Sequence, residues 1–270
     1  MTVIDGRKNK AAATVRIGPN PRDIAINTLT NKIYVTNRGK DISKFGVVTI
    51  MDGATNRATT VRTGTNPCSV AVNPKTNRVY VTNNGSNNVS VIDGMTNKTI
   101  ATVSTGEEPC AIAVNSITNK IYVANYKSGN VTVIDGETNS AVPVEVGSDP
   151  NYVAVNPATN KVYVADEAVT VIDGDTNDTT AIIAGDHPDS IAINLESNRT
   201  YVVNSMNYVT VTDGATNATR TIATIDSPHA VAVNPATGVV YALAGGSVTL
   251  IDGLASHTET GSPAVARIPR

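Results

Sequence analysis

Short apolar runs alternate with polar, turn-forming residues along the whole chain. In residues 67–106, four runs rich in Val, Ile, Thr and Tyr are separated by Asn, Asp, Gly and Pro. Runs of this length and composition between turn formers are typical of β-strands, and they predict strands at 69–73, 78–83, 88–93 and 99–104. No segment shows the period of an amphipathic helix. The pattern therefore predicts an all-β protein.

The same four-strand unit recurs through the chain. An Asp-Gly pair, usually inside Val-Ile-Asp-Gly, marks each copy at intervals of about forty residues, at Asp5, Asp52, Asp93, Asp135, Asp173, Asp213 and Asp252. One such unit cannot bury both of its faces alone, and a four-stranded repeat of this length is typical of a β-propeller. The sequence predicts a single β-propeller domain over residues 1–270, with blades of about 41 residues. Its first strands, apolar on both faces as in Ile24, Val70, Val153 and Val231, are expected to be buried between blades.

The number of blade positions depends on the two ends of the chain. Complete units number six, and residues 1–18 read as the outer hairpin of a further blade, so the chain starts inside a blade as a fragment of a longer protein does. Seven positions with an incomplete closing blade are favoured. Residues 254–270 then form the closing segment, in which a strand at 264–268 joins the N-terminal hairpin. A closed six-blade ring is the alternative.

The second strand of each unit carries a recognisable signature. It reads Tyr-Val-Thr-Asn at residues 34–37 and 80–83, and Tyr-Val-Ala-Asn at 122–125. This resembles the YVTN-repeat propellers of archaeal surface-layer proteins and of bacterial secreted or periplasmic proteins. The resemblance implies a secreted, periplasmic or cell-surface protein that serves as an adhesive or binding scaffold and occasionally as an enzyme. Related seven-bladed propellers include a streptogramin lyase and lactonases, but no catalytic motif of theirs can be placed on this chain.

Charge and composition narrow the possible partners. The net charge is −2 and the basic residues are scattered, so no electrostatic footprint for nucleic acid is present. No apolar run reaches the length needed to span a membrane. Two Cys residues do not establish a disulfide framework. We expect a monomer that binds neither nucleic acid nor the bilayer core.

One position in each unit escapes the repeat. It follows the proline that precedes each first strand, while its neighbours are nearly constant from unit to unit. Around the predicted ring it is occupied by Arg22, Cys68, Cys110, Asn151, Asp189 and His229. Equivalent structural positions favour the same residue, so different polar or reactive side chains indicate a ligand site at the channel mouth. The alternative is a solvated rim that tolerates any polar residue.

Two classes of function fit this ring. The favoured one is a non-catalytic binding module for a small molecule, peptide or glycan. The alternative is a lyase or hydrolase acting on a small polar substrate, with His229 as general acid or base, Asp189 as its partner and Arg22 as an anion clamp. Cys68, Cys110 and His229, with Asp189, are ligand types for a divalent metal such as zinc or copper, although no local metal-binding motif is present. The loop at 38–46, the longest between second and third strands, is expected to lie on the same face.

Overall fold

The computed structural model describes residues 1–41, 43–182, 184–185, 187–224, 226–245, 247–252 and 264–267. Over these residues the chain forms strands and turns and no α-helix. The described strands make six four-stranded antiparallel sheets and one two-stranded sheet. By its contacts the chain divides into two compact units, Met1–Pro143 and Val144–Arg270. The six four-stranded sheets and the two-stranded sheet correspond to the six complete repeats and the N-terminal half-repeat that the sequence predicts.

The first unit consists of an N-terminal hairpin and three four-stranded sheets. The hairpin pairs β1 (Thr2–Asp5) with β2 (Lys10–Thr14). The first sheet contains β3 (Pro21–Asn27), β4 (Lys32–Asn37), β5 (Phe45–Asp52) and β6 (Ala58–Thr65). The second contains β7 (Pro67–Asn73), β8 (Arg78–Asn83), β9 (Asn88–Asp93) and β10 (Lys98–Ser104). The third contains β11 (Pro109–Asn115), β12 (Lys120–Asn125), β13 (Asn130–Asp135) and β14 (Ala141–Glu145).

The second unit contains the other three sheets. The fourth sheet contains β15 (Tyr152–Asn156), β16 (Lys161–Ala165), β17 (Val169–Asp173) and β18 (Thr179–Ile182). The fifth contains β19 (Pro188–Asn194), β20 (Arg199–Asn204), β21 (Tyr208–Asp213) and β22 (Thr219–Ala223). The sixth contains β23 (Ala230–Val233), β24 (Val239–Ala244), β25 (Ser247–Asp252) and β26 (Ala264–Arg267). In each sheet the strands follow chain order.

Neighbouring sheets pack most closely through their first strands. In the first unit β3 lies against β7 and β7 against β11, whereas the fourth strands touch less. The core lies between the sheets, where Tyr34, Tyr80 and Tyr122 of the second strands are fully buried. A four-stranded antiparallel meander that packs its first strand innermost is a propeller blade. The predicted fold class is confirmed.

The repeated Asp-Gly pair is a hairpin corner. Asp93 Oδ1 accepts hydrogen bonds from the amides of Met95 and Thr96 at 3.0 and 2.7 Å and from the Thr96 hydroxyl at 2.9 Å. The Gly94 amide donates to the carbonyl of Asn77 at 2.8 Å. A Cβ at Gly94 would lie well inside van der Waals contact with the Asn77 side chain. The pair recurs because one residue caps the corner and the other leaves room for the adjacent turn.

The N-terminal hairpin packs on the first sheet but covers only part of its face. Met1, Val3 and Ile17 pack against a cluster formed by Val15 of the hairpin segment and by Ile33, Val35 and Met51 of β4 and β5. On β3 of the same face, Ile24 and Ile26 pair with Val35 and Ile33 yet are 52% and 56% exposed. The expected burial is therefore wrong for Ile24, which is not among the residues that pack with the hairpin. Val70 and Val153 are buried as predicted, and Val231 is partly buried.

The C-terminal strand pairs differently from the prediction. β26 is hydrogen-bonded to β25, with Leu250 opposite Ala264 and Ser247 opposite Arg267. It is the fourth strand of the sixth sheet, whereas the sequence interpretation paired it with the N-terminal hairpin. Residues 254–263 and 268–270 of the predicted closing segment lie outside the described residues. Closure at a seventh position stays a prediction.

Candidate functional site

Four of the six residues that follow the prolines lie in β-bulges at the start of the first strands. Pro67 pairs with Asn83, and the next regular pair is Val70 with Val81, so Cys68 and Ser69 fall in an irregular stretch. Similar shifts follow Pro21, Pro109 and Pro188. Bulges re-aim side chains and are frequent beside functional sites. Arg22, Cys68, Cys110 and Asp189 are therefore presented from locally distorted backbone rather than from regular strand.

The residue before several of these prolines has a left-handed backbone. At the hairpin corners, positive φ angles of 49–64° occur at Asn residues. Before the prolines they also occur at other residue types. These residues are Asn20 at 52°, Asn66 at 50°, Glu108 at 56°, Asp149 at 52° and His187 at 52°. A residue before proline normally prefers extended backbone, and a sparsely populated conformation costs on the order of 1–3 kcal/mol. The strand entrances therefore store local strain.

These strained residues hold the loops between second and third strands. The carbonyl of Asn20 accepts from the amide of Arg38 at 3.1 Å, and that of Glu108 accepts from Tyr126 at 3.1 Å. The His187 carbonyl accepts from the amide of Ser205 at 3.3 Å. In these three sheets the linkers and loops thus lie on the same face, as the sequence predicted.

In the first unit this arrangement brings together Arg38, Cys68 and Cys110, which we call the Arg38 cluster. Arg38 Nη2 donates to Cys68 Sγ at 3.7 Å. Arg38 Nε is buried and has no hydrogen-bond partner among the described residues. Cys68 and Cys110 are reduced thiols on adjacent first strands, close enough to interact electrostatically. The cluster therefore presents a half-buried cation whose donors are largely unused.

Cys110 is a neutral thiol at physiological pH. Burial, followed by the neighbouring Cys68, raises the pKa of the Cys110 thiol to about 12. Its Sγ donates to the Ala124 carbonyl at 3.5 Å. Only a thiolate acts as a nucleophile or strong metal ligand. Cys110 is thus poorly suited to the nucleophilic and metal-ligand roles, and no group of three or more His, Cys, Asp or Glu placed to hold a metal occurs in the described part of the chain.

The carboxylate beside the cluster is engaged in linking two sheets. Asp23 Oδ2 accepts from the Ser69 hydroxyl at 2.6 Å and from the Val70 amide at 2.9 Å, and its Oδ1 accepts from the Ile24 amide at 2.8 Å. The Thr36 hydroxyl donates to the Cys68 carbonyl at 3.1 Å. Both Asp23 oxygens are therefore occupied, and the residue positions β7 against β3.

In the second unit the predicted residues are exposed. Asn151 Nδ2 donates to the Pro188 carbonyl at 3.2 Å, which joins the fourth and fifth sheets. Asp189 and His229 are solvent-exposed, and neither a hydrogen bond nor an ion pair joins their side chains within the described residues. Arg22, in the first unit, is also exposed. The combination of Arg22, Asp189 and His229 in one catalytic set stays a prediction.

Arg38 is the residue that sequence reasoning did not select. It was placed in the long loop but not among the six candidates. The position four residues after each second-strand tyrosine also departs from the repeat, since it holds Arg38, Asn84, Tyr126, Glu167, Ser205 and Gly245. The same argument that selected the post-proline position applies to it, and would have identified Arg38.

The comparisons with known proteins concern the fold. The family described as "Lactonase, 7-bladed beta-propeller" matches residues 23–145. No curated protein sequence matches the chain. Among the described residues no helix is long and apolar enough to cross a bilayer.

Similar solved structures extend the likeness over most of the chain. A chain of hydrazine synthase from Kuenenia stuttgartiensis has a TM-score of 0.72 at 18% identity, covering 88% of this chain and 78% of that one. A protein provisionally described as a 6-phosphogluconolactonase, from Bacteroides uniformis, has a TM-score of 0.69 at 15% identity, covering 98% and 93%. Identities this low show the fold alone. The chain is a β-propeller.

Proposed function

We propose that this protein is a hydrolase that opens a lactone, the cyclic ester of a small, polar, anionic acid. The observation that carries the proposal is the Lactonase match over residues 23–145, the segment that contains Arg38, Cys68 and Cys110. The resemblance to a provisionally described 6-phosphogluconolactonase is a likeness of fold that accords with it. The YVTN-like strands favour a secreted, periplasmic or cell-surface location for this activity.

Arg38 accounts for the anionic character of the substrate. A guanidinium has five N–H donors in a planar fork that matches a carboxylate or phosphate. The described residues occupy Nη2 only with a long contact to Cys68 Sγ and leave Nε without a partner. Charge-assisted hydrogen bonds to an anion would satisfy these donors. An anionic substrate group is therefore expected to bind Arg38.

The reaction itself requires water and a proton acceptor. Water adds to the acyl carbon, the ring C–O bond breaks, and one proton goes to the alkoxide while the new acid ionises. Cys110 stays protonated and is not suited to accept the proton from water, and Asp23 is engaged in hydrogen bonds that link two sheets. The sequence predicts His229 as the general base.

Proton release from a set of lactones tests the activity. Purified protein is expected to open lactones of sugar acids faster than buffer, and an anionic lactone faster than a neutral one of the same ring size. Arg38→Gln should lower kcat/KM by about tenfold or more for the anionic lactone, the effect of losing one charge-assisted hydrogen bond. Arg57→Gln, which changes an exposed arginine at a hairpin corner, is the matched control.

The test has two outcomes that count against the hydrolase. Ring opening at the buffer rate with every lactone would exclude it, and an equal loss in the Arg57 and Arg38 variants would remove Arg38 from the site. His229→Ala tests the predicted general base separately, because the loss should appear in kcat rather than in KM.

A second candidate is a non-catalytic module that binds a small anion at the Arg38 cluster. It is favoured by one observation, that the titratable groups beside Arg38 are unsuited to base catalysis. Calorimetric binding of the ring-opened acid without turnover of the lactone, abolished by Arg38→Gln, would establish it in place of the hydrolase.

A further inference from the structure

A second concavity lies in the first unit, away from the Arg38 cluster. It is a groove of about 370 Å³ between the first and second sheets, formed by residues of β5 and β6 on one side and of β9 and β10 on the other. Its walls include Phe45, Arg62, Thr63, Ser86, Thr99 and Thr102. None of the six post-proline residues lines it, nor does Arg38. The volume is within the usual range for sites that bind small molecules, roughly 300–1,000 Å³.

The charge in this groove is positive and unpaired. Arg62 is exposed, and its guanidinium makes no ion pair or side-chain hydrogen bond within the described residues. No Asp or Glu is among the residues that line the groove. The Arg62 backbone is held in place, because its carbonyl accepts a hydrogen bond from the Thr99 hydroxyl at 3.2 Å. A fixed strand position with a free guanidinium favours a ligand that carries one anionic group.

The rest of the lining combines an aromatic ring with hydroxyl groups. Phe45 is the single phenylalanine of the chain and is 67% exposed at the edge of the groove. The Ser86 hydroxyl accepts from the Thr65 amide at 3.1 Å, which leaves its own proton free to donate. The Thr102 hydroxyl has no hydrogen-bond partner in the described part of the chain. An aromatic face beside free hydroxyls suits a ligand with C–H groups on one side and hydroxyls around its edge.

We propose that this groove binds an acidic monosaccharide, a sugar ring that carries one carboxylate. The carboxylate is held by Arg62, the apolar face of the sugar ring lies on Phe45, and the sugar hydroxyls bond to Ser86 and Thr102. The proposal does not rest on lactone hydrolysis, since the groove and the Arg38 cluster share no residue.

An NMR titration of the whole chain tests the site. D-glucuronate and D-galacturonate are added to labelled protein, with uncharged D-glucose as the matched ligand control. The acids are expected to shift the amide signals of Arg62, Thr63 and Ser86, and D-glucose should bind about tenfold more weakly, the effect of one lost charge-assisted hydrogen bond. Arg62→Gln should weaken the acids by a similar factor, while Arg57→Gln, outside the groove, should not.

Three results would overturn the proposal. They are the absence of shifts in the amide signals of the groove residues with either acid, equal binding of glucose and glucuronate, and equal weakening by the Arg57 and Arg62 variants.

Phe45→Leu and Thr102→Val keep the approximate size of the side chains and should each reduce affinity without changing the melting temperature. Arg38→Gln should leave the titration unchanged, so failure of the groove and failure of the hydrolase are distinguishable.

Discussion

Asn73 Nδ2, at the end of β7, donates a 2.7 Å hydrogen bond to Oδ1 of Asn119, in the corner between β11 and β12 of the next sheet. Asn27 and Asn77 make the same bond at 2.9 Å, and Asn156 and Asn198 make it at 2.8 Å. Asn73 is fully buried, and its Oδ1 also accepts from the Lys75 amide at 3.1 Å. Three corners are therefore each tied to a neighbouring sheet by the same amide pair.

Removing this amide should destabilise the first unit. Asn73→Ala leaves the Asn119 oxygen and the Lys75 amide without their partner, and each lost hydrogen bond costs about 0.5–1.5 kcal/mol. We expect a lower denaturation midpoint in urea. Lys75→Ala, at an exposed position of the same turn, is the control and should change the midpoint little. Equal midpoints for wild type and Asn73→Ala would show that the amide pair does not contribute to stability.

The sixth sheet lacks this pair of hydrogen-bonded Asn side chains, and one substitution could supply it. Its corner holds Gly238, with φ of 71°, where the other corners hold a left-handed Asn. The preceding Asn194 is 2% exposed, and its Nδ2 has no hydrogen-bond partner among the described residues. Gly238→Asn supplies the missing oxygen at a φ that Asn tolerates. The melting temperature should rise, by the equivalent of about 1 kcal/mol.

Two further variants separate the hydrogen bond from backbone effects. Gly238→Ala offers no acceptor and places a Cβ at positive φ, so it should lower the melting temperature. Asn194→Ala combined with Gly238→Asn should lose the gain. A gain that survives in this double variant would show that the new Asn acts in another way.

The Cys110 thiol should react slowly with iodoacetamide at neutral pH. Its pKa is raised to about 12, chiefly by burial, so the reactive thiolate is scarce until the pH is far above that of an ordinary thiol. Mass spectrometry of Cys68→Ser, in which Cys110 is the remaining thiol, measures the rate against pH. The same variant in denaturant is the control and should react at the ordinary rate. Equally rapid alkylation of the folded protein at pH 8 would contradict the raised pKa.

The Asp-Gly corners should make stability fall in acid. Hydrogen bonds from Thr96, first from its amide and then from its hydroxyl, lower the pKa of Asp93, and Asp52, Asp135 and Asp173 are lowered by similar turn bonds. A depressed folded pKa means that the folded state favours the carboxylate. The stabilisation is therefore present above the unfolded value, about 3.9, and is lost as the pH falls through the folded value.

Urea midpoints measured across the acid range test this dependence. Asp93→Asn cannot ionise, so it should lower stability at neutral pH and flatten the acid decline relative to wild type. Asp178→Asn changes an Asp whose side chain is not a corner cap and should leave the decline unchanged. An acid profile identical in Asp93→Asn and wild type would show that the corner carboxylate does not contribute.

Individual strands could be located closely from sequence alone. Residues 78–83 and 88–93 were predicted as strands and are β8 and β9 with the same bounds, while β7 starts two residues earlier than predicted. These bounds are local, because Asn and Asp cap the corners and β-branched residues fill the strands between them. The candidate site was predicted less completely, since Arg38 reaches Cys68 only after the sheets pack.

The sequence by itself determined the repeat, the strand order within each blade and the propeller fold. Each of these follows from a local pattern that recurs about every forty residues. The tertiary structure decided where that pattern is broken. It placed a bulge after Pro67, left Ile24 exposed on its first strand, and paired Ala264 with Leu250 of its own sheet. Each of these features depends on which surfaces meet across sheets or at the chain ends. A repeat with nearly the same sequence in every blade does not indicate which surfaces will be in contact.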